Sequence, residues 1–288
     1  YPLIGAVPTS ADDVRPTGWA YAAPWGNDTT GNGSRKYPYK TIAKALTIAT
    51  LKIVLASGVY REAALSPANQ NLIGDGNVII DSTLISTSIF NGNITFHQYN
   101  IIYRGNGQVI NTGTGNFTDC IFYNISPYLS AIKGILTGCV FYNSTVTWDT
   151  LDTLAKHKNN TFYNCNNYFY NLVSGVNGIV NSVVYNIFYR CNMNFQYQPG
   201  FIDYCIFYEC NFRFGTYSVT TFTFYPAAAP AGYTFQSSLA NIQAASVTAY
   251  GANIYNFNSC INADPLFNNA PALDLTIGFN SPAKNRSY

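Results

Sequence analysis

Asp149, Asp152, Lys156, His157 and Lys158 form the one polar cluster in this sequence with the residue types that acid–base chemistry uses. Carboxylates, amines and an imidazole brought together could share a proton-transfer site. A surface loop between structural repeats accounts for the same residues. The other carboxylates are scattered: of 13 acidic residues, Asp119 is the single one between positions 82 and 148. The adjacent pair Asp12–Asp13 lies near the start, and Asp75 and Asp81 suit turns, where Asp stabilises the backbone locally. With two His and no C-x2-C pair, no zinc or other metal site is expected. The remaining chemistry is aromatic. Of 24 Tyr, six recur at one place in a repeated word: Tyr103, Tyr123, Tyr142, Tyr163, Tyr189 and Tyr208.

The repeat shows what must position them. DCIFYN (119–124) returns as GCVFYN (138–143) and YCIFYE (204–209), with looser copies NNTFYN (159–164) and YNIFYR (185–190). Its Phe falls at Phe122, Phe141, Phe162, Phe188 and Phe207; matching YNIIYRGN (99–106) to YNIFYRCN (185–192) adds Ile102. The spacings are 20, 19, 21, 26 and 19 residues. A period near 20 marks a solenoid in which each repeat covers its neighbour. Period-2 patterning with β-branched and aromatic residues makes the coil of strands.

Along a strand, successive side chains alternate faces. Phe is assigned inward together with the column two residues earlier: Asn100, Cys120, Cys139, Asn160, Asn186 and Cys205. Tyr then faces outward beside Ile101, Ile121, Val140, Thr161, Ile187 and Ile206. Arg104, Arg190 and Glu209 two places after the Phe position oppose burial there, so the chain turns. Cys165, Cys191 and Cys210 follow as a second column. Seven Cys is an odd number, and stacked Cys read as small buried hydrophobes with free thiols. In-register strands lie about 4.8 Å apart, near the short end of disulfide geometry. The outward Tyr stripe has three readings: covered by the chain's own loops or N-terminal arm, buried against another subunit, or a platform on which a glycan stacks.

Composition limits the partners. Hydrophobic residues make up 48% and charged residues 10%, with a net charge of +2, against roughly 25% charged in an average globular protein. No basic run points to nucleic acid, and no apolar run approaches the roughly 20 residues of a membrane span. A polar, uncharged surface of this kind is common in extracellular and virion proteins. The chain begins with Tyr and reads as a processed product, any export signal lying outside it.

The ends carry a resemblance. GNDTTGNGSRKYPYKTIAKAL (26–46) resembles the entry of right-handed parallel β-helices of the pectate-lyase-like superfamily, with a short amphipathic capping helix. KIVLASGVYREAALSPANQNLIGDGNVIID (52–81) is similar to their first coils, and NADPLFNNAPALDLTIGFNSPAKN (262–285) to their closing coil. The resemblance covers roughly residues 20–288. It implies an all-β fold: a right-handed single-stranded parallel β-helix (solenoid) with a short N-terminal capping helix and an extended N-terminal arm. The expected division is an arm over 1–25, with Tyr1, Leu3, Ile4 and Val7 as an apolar assembly strap, and a β-helix over 26–288. Within it lie central repeats at about 94–212, a protruding loop at about 213–258 and a closing coil at about 259–288.

One such scaffold hosts lyases, hydrolases, phage tailspikes and adhesins. Its hydrolases use paired carboxylates, and its lyases use clustered Asp holding calcium with a Lys or Arg base. This chain is poor in both, so Asp149, Asp152, Lys156 and His157 are its only catalytic candidates. The expectation is a non-enzymatic extracellular or virion-surface protein: a tail fibre, tailspike or filament subunit. It would pair with copies of itself or other structural subunits and contact a host-surface glycan, without nucleic acid or a membrane span. No cofactor is expected, calcium entering only under the alternative of a polysaccharide lyase or glycoside hydrolase.

Overall fold

The computed structural model describes residues 13–62, 64–66, 70–85, 89–90, 97–106, 109–111, 116–129, 135–148, 156–169, 182–195, 201–214, 221–223, 234–235, 256–258, 260–270, 274–277 and 280–283. They form a parallel β-helix. Strand β1 (Trp19–Ala22) pairs in parallel with β2 (Lys52–Tyr60), and β2 with β3 (Asn71–Asp81). Alternation puts Ile53, Leu55, Leu72 and Ile80 inside. β1 lies within the stretch 1–25 assigned to the arm, so coiling has begun by residue 19. Tyr1, Leu3, Ile4 and Val7 lie outside the described residues.

Helix α1 (Ile42–Leu46) closes the entry, burying Ile42 and Ala45. Thr41 is its N-cap, its side chain accepting from the Lys44 N–H at 3.1 Å. Asp28 accepts from the N–H groups of Lys40 and Thr41 and from the Thr41 hydroxyl. Glu62, from the coil after β2, accepts from the first-turn N–H groups of Ile42 and Ala43 at 2.8 and 2.9 Å. Two carboxylates therefore satisfy donors that a helix start leaves without partners.

Beyond β3 each coil splits into short strands separated by left-handed corners. The first corner falls at Asn100, Asp119, Gly138, Asn159, Tyr185 and Tyr204, the second at Asn124, Asn143, Asn164, Arg190 and Glu209, all at positive φ. Asn and Asp reach this region at low cost, which is why the repeat ends in Asn. The second corner is the turn expected two residues after the Phe position. Strands leaving it (126–129, 145–148, 166–169, 192–195 and 211–214) stack in parallel as a second sheet. Thr221–Thr223 then adds antiparallel to Asn211–Phe214, and Asn256–Asn258 returns the chain to the first sheet beside Phe201–Asp203. Within the segment 213–258, Thr221–Thr223 and Thr234–Phe235 thus extend the second sheet.

The core is a set of columns. Tyr103, Phe122, Phe141, Phe162, Phe188 and Phe207 stack with ring centroids 5.2, 4.5, 4.8, 4.8 and 5.2 Å apart, close to the spacing of the strands that carry them. The corners explain the Cys and Asn columns. At the corners, buried backbone groups are met by side chains of these columns, and such groups are costly to leave unmade. Sγ of Cys165, Cys191 and Cys210 points back to the carbonyls of Phe141, Phe162 and Phe188 at 3.2–3.4 Å. Ser144 Oγ reaches the Phe122 carbonyl in the same way. In the other column, Asn160 Oδ1 accepts from Cys139 N–H and Asn186 Oδ1 from Asn160 N–H, both at 2.9 Å. All seven Cys are free, and six are buried.

Candidate functional site

The strand 156–158 decides the fate of the acid–base cluster. Its register sets His157 opposite Val183, and Leu136 N–H donates to His157 Nδ1 at 3.2 Å. Phe117, Leu136, His157 and Val183 make one inward column, and His157 is fully buried. Burial pushes its pKa down from 6.5 to about 3, so the ring is neutral. This corrects the sequence assignment: His157 takes an inward place on its strand, with its neighbour Lys158 exposed, and is a core residue. The signal was present five residues before each Phe of the repeat, where Phe117, Leu136, Val183 and Ile202 share the column with His157. Asp149 and Asp152 lie outside the described residues, and Lys156 is placed by its backbone alone.

The Tyr stripe also changes. Tyr103 pairs in register with Phe122 and is fully buried, so it belongs to the ring column of the core. The matching of YNIIYRGN to YNIFYRCN set it one residue off, and a one-residue slip moves every side chain to the other face. Arg104 takes the outward place beside Tyr123. From there the outer rings run Tyr123–Tyr142 at 4.7 Å, Tyr142–Tyr163 at 6.0 Å, Tyr163–Tyr189 at 5.1 Å and Tyr189–Tyr208 at 5.1 Å.

Part of that stripe is roofed by the chain itself. The closing hairpin pairs Phe267–Asn269 with Asp274–Ile277 antiparallel. The Phe267 ring lies 5.5 Å from Tyr189, and Phe267, Ile277 and Ala283 pack on Ile187 and Ile206. Burial raises the Tyr142 hydroxyl pKa, with the charges of Tyr123 and Asp274 adding to it. Tyr142 and Tyr189 are only 4% and 9% exposed, so at these two positions the stripe is covered by the chain's own closing segment, the first of its three readings, and not offered to a subunit or a glycan. Tyr123, Tyr163 and Tyr208 remain half-buried. The Asp-Pro-Leu-Phe word sets the roof, with Asp264 Oδ1 accepting from Leu266 N–H at 2.8 Å and Ser281 Oγ donating to the Pro265 carbonyl.

Carboxylates among the described residues are mostly engaged locally. Asp28 and Glu62 hold the helix entry, Asp81 accepts from Thr83 N–H and Oγ1, and Asp274 does the same with Thr276. Asp75 pairs with Arg35 at 3.2 Å and Glu209 with Arg190 at 2.5 Å. Among the described residues no three His, Cys, Asp or Glu side chains gather as a metal would require.

A feature that the sequence reading passed over lies at the other end. Trp25, on the turn after β1, is 66% exposed. Leaving that much indole in water forgoes about 3 kcal/mol of burial. It walls a groove of about 690 Å³ whose rim carries the Arg35–Asp75 pair. The available signal was a Pro-Trp step entering a Gly- and Asn-rich turn.

No protein-family model matches the chain, and no curated protein matches it. Among solved structures it is similar to a rhamnogalacturonan lyase, at 10% identity and a TM-score of 0.33, over 66% of this chain and 68% of that one. The β-helix assignment stands on the strand registers described above.

Proposed function

We propose that this β-helix is a non-enzymatic extracellular structural or adhesive protein, a virion tail fibre, tailspike or surface-filament subunit that self-associates and contacts a host surface or glycan. The observation that carries this reading is the position of His157. The one cluster with catalytic residue types gives up its imidazole to the core, neutral at any pH above about 3. Local use of most described carboxylates supports it further, since glycan cleavage on a coil face needs acidic groups free to meet substrate. The repetitive coil, its rings stacked at strand spacing, suits a stiff rod. The half-buried Tyr123, Tyr163 and Tyr208 leave an aromatic surface that a partner would complete.

A panel of acidic and neutral polysaccharides, incubated with the chain in calcium, tests the absence of catalysis. No oligosaccharide release is expected. Release that Asp149→Ala or Asp152→Ala abolishes would establish the lyase or hydrolase alternative instead. Light scattering of the full chain and of a variant lacking residues 1–25 tests assembly. A monomer at micromolar concentration, unchanged by the deletion, would remove the self-association.

A further inference from the structure

The groove beside Trp25 is built from the outer faces of the first coils and from the turn that follows β1. Tyr21, Val54 and Ala56 contribute from β1 and β2, and Asp75, Gly76 and Asn77 from β3. Trp25, the Arg35–Asp75 pair and several small residues, among them Ala22, Ala23, Ala56 and Ser57, line it together. Among the described residues nothing stacks on the Trp25 ring. The same indole separates this groove from a smaller hollow of about 120 Å³, where Tyr37 stands 47% exposed.

This exposure is held in place. Ala23 N–H donates to the Tyr39 carbonyl and Gly26 N–H to the Ala23 carbonyl, both at 2.8 Å, and Asn27 N–H donates to Pro38 at 3.0 Å. A Cβ on Gly26 would lie 2.3 Å from the Tyr39 carbonyl oxygen, so only glycine allows the turn to sit this close. Ser57 Oγ donates to the Asp75 carbonyl and accepts from Asn77 N–H, both at 3.1 Å, fixing the backbone behind the rim. The backbone that carries Trp25 is thus tied on both sides, an arrangement that lowers the ordering cost of binding.

We infer that this groove is a saccharide site, and that its ligand is an uncharged pyranose oligomer. The size lies within the range of ligand pockets, about 300–1,000 Å³. A flat indole facing the groove offers the apolar contact that the C–H face of a pyranose seeks. In the same groove, a guanidinium and a carboxylate side by side provide donors and acceptors for neighbouring hydroxyls. Both side chains are more than half exposed, so the pair is weakly held and opens at little cost. Arg35 and Asp75 are the only ionisable acid and base among the lining residues apart from the Tyr21 phenol, and their charges cancel. The rim therefore has no net attraction for a uronate, a sulfate or an amine. This gives the proposed glycan contact a chemical class and a place away from the Tyr stripe, and it holds whether or not the chain self-associates.

Titration of the full chain with neutral gluco-, manno- and N-acetylglucosamine oligosaccharides, followed by calorimetry, tests the site. Oligogalacturonate and a proline-rich peptide serve as competitors of other classes. At least one neutral oligosaccharide is expected to bind saturably. Trp25→Ala should weaken it about tenfold or more, the loss typical of an aromatic anchor. Trp25→Phe should restore part of it, Asp75→Asn should weaken it severalfold, and all three should keep the circular dichroism and melting temperature of the parent. Absence of neutral-sugar binding at millimolar concentration overturns the inference, as does binding that Trp25→Ala leaves intact. Tighter binding of oligogalacturonate or of the peptide overturns the ligand class. Binding lost in Tyr163→Ala but not in Trp25→Ala moves the glycan to the Tyr stripe, overturning this site while leaving the proposed function standing.

Discussion

Replacing His157 separates a core imidazole from a catalytic one. The fold lowers its pKa from 6.5 to about 3 by burial, so the native chain resists a proton that the unfolded chain accepts. The sign follows directly: below pH 6.5 the unfolded state binds more protons, and stability falls as pH falls, until the native imidazole itself titrates near 3. At about 1.36 kcal/mol per pH unit the interval sums to about 5 kcal/mol, of which about 2 is lost by pH 5. His157→Leu places Leu between Leu136 and Val183, but leaves Leu136 N–H without its acceptor at a cost of about 1–3 kcal/mol. The variant should therefore be less stable at pH 7 and lose less on acidification. Urea denaturation of both proteins at pH 7, 6 and 5 measures the difference, and proton NMR of the ring gives an independent reading. Equal loss of stability in the two proteins, or a His157 ring that titrates near pH 6.5, would refute the burial argument and reopen catalysis at this residue.

Tyr103 heads the ring column with its hydroxyl fully buried and no hydrogen-bond partner among the described residues, so Tyr103→Phe should stabilise the chain by about 1 kcal/mol in the same denaturation assay. Asn186 Oδ1 accepts from Asn160 N–H and Nδ2, and its Nδ2 donates to the His157 carbonyl at 2.9 Å. Asn186→Ala leaves these buried groups unmet and should cost about 3 kcal/mol or more, with loss of soluble protein on expression as a second sign. Burial and the neighbouring Cys165 and Cys210 raise the Cys191 thiol pKa well above its ordinary value, and Cys260 is the one cysteine with partial exposure. A thiol reagent should therefore modify Cys260 alone in the native chain and all seven Cys in denaturant, as read by mass spectrometry.

What the sequence revealed and what it hid follow from the geometry of a coil. Every residue in a solenoid column meets the same environment, so six near-copies of one word expose its inward and outward places by repetition. The Phe column, both Cys columns and the turn at Asn124, Asn143 and Asn164 were legible for that reason. Misreadings arose where a column hosts a residue of another kind. Tyr103 carries an aromatic in the Phe place, and His157 stands among Phe117, Leu136 and Val183. Residue type pointed outward or toward chemistry in both cases, while strand register decided the position. Coverage of the stripe by the chain's own loops was one of three readings, but the repeat does not say which segment covers which Tyr. Nothing in the Tyr column announces that Phe267, fifty-nine residues after Tyr208, folds back to roof Tyr189.

The same geometry bears on where this chain can hold a ligand. A repeated column gives a partner many equivalent places and no single register, which suits packing of one rod against another. A ligand held in one place needs a unique arrangement, and the coil provides that only where the repetition stops. Two of the described breaks bear on this: the turn after β1, where Trp25 lines one groove with Arg35 and Asp75, and the closing hairpin, which covers Tyr142 and Tyr189. The hairpin spends its apolar residues on the chain's own surface. The turn leaves its largest side chain in water. On the proposed reading, specific recognition would fall to the N-terminal coils, and Tyr123, Tyr163 and Tyr208 to contacts that a rod would make along its length.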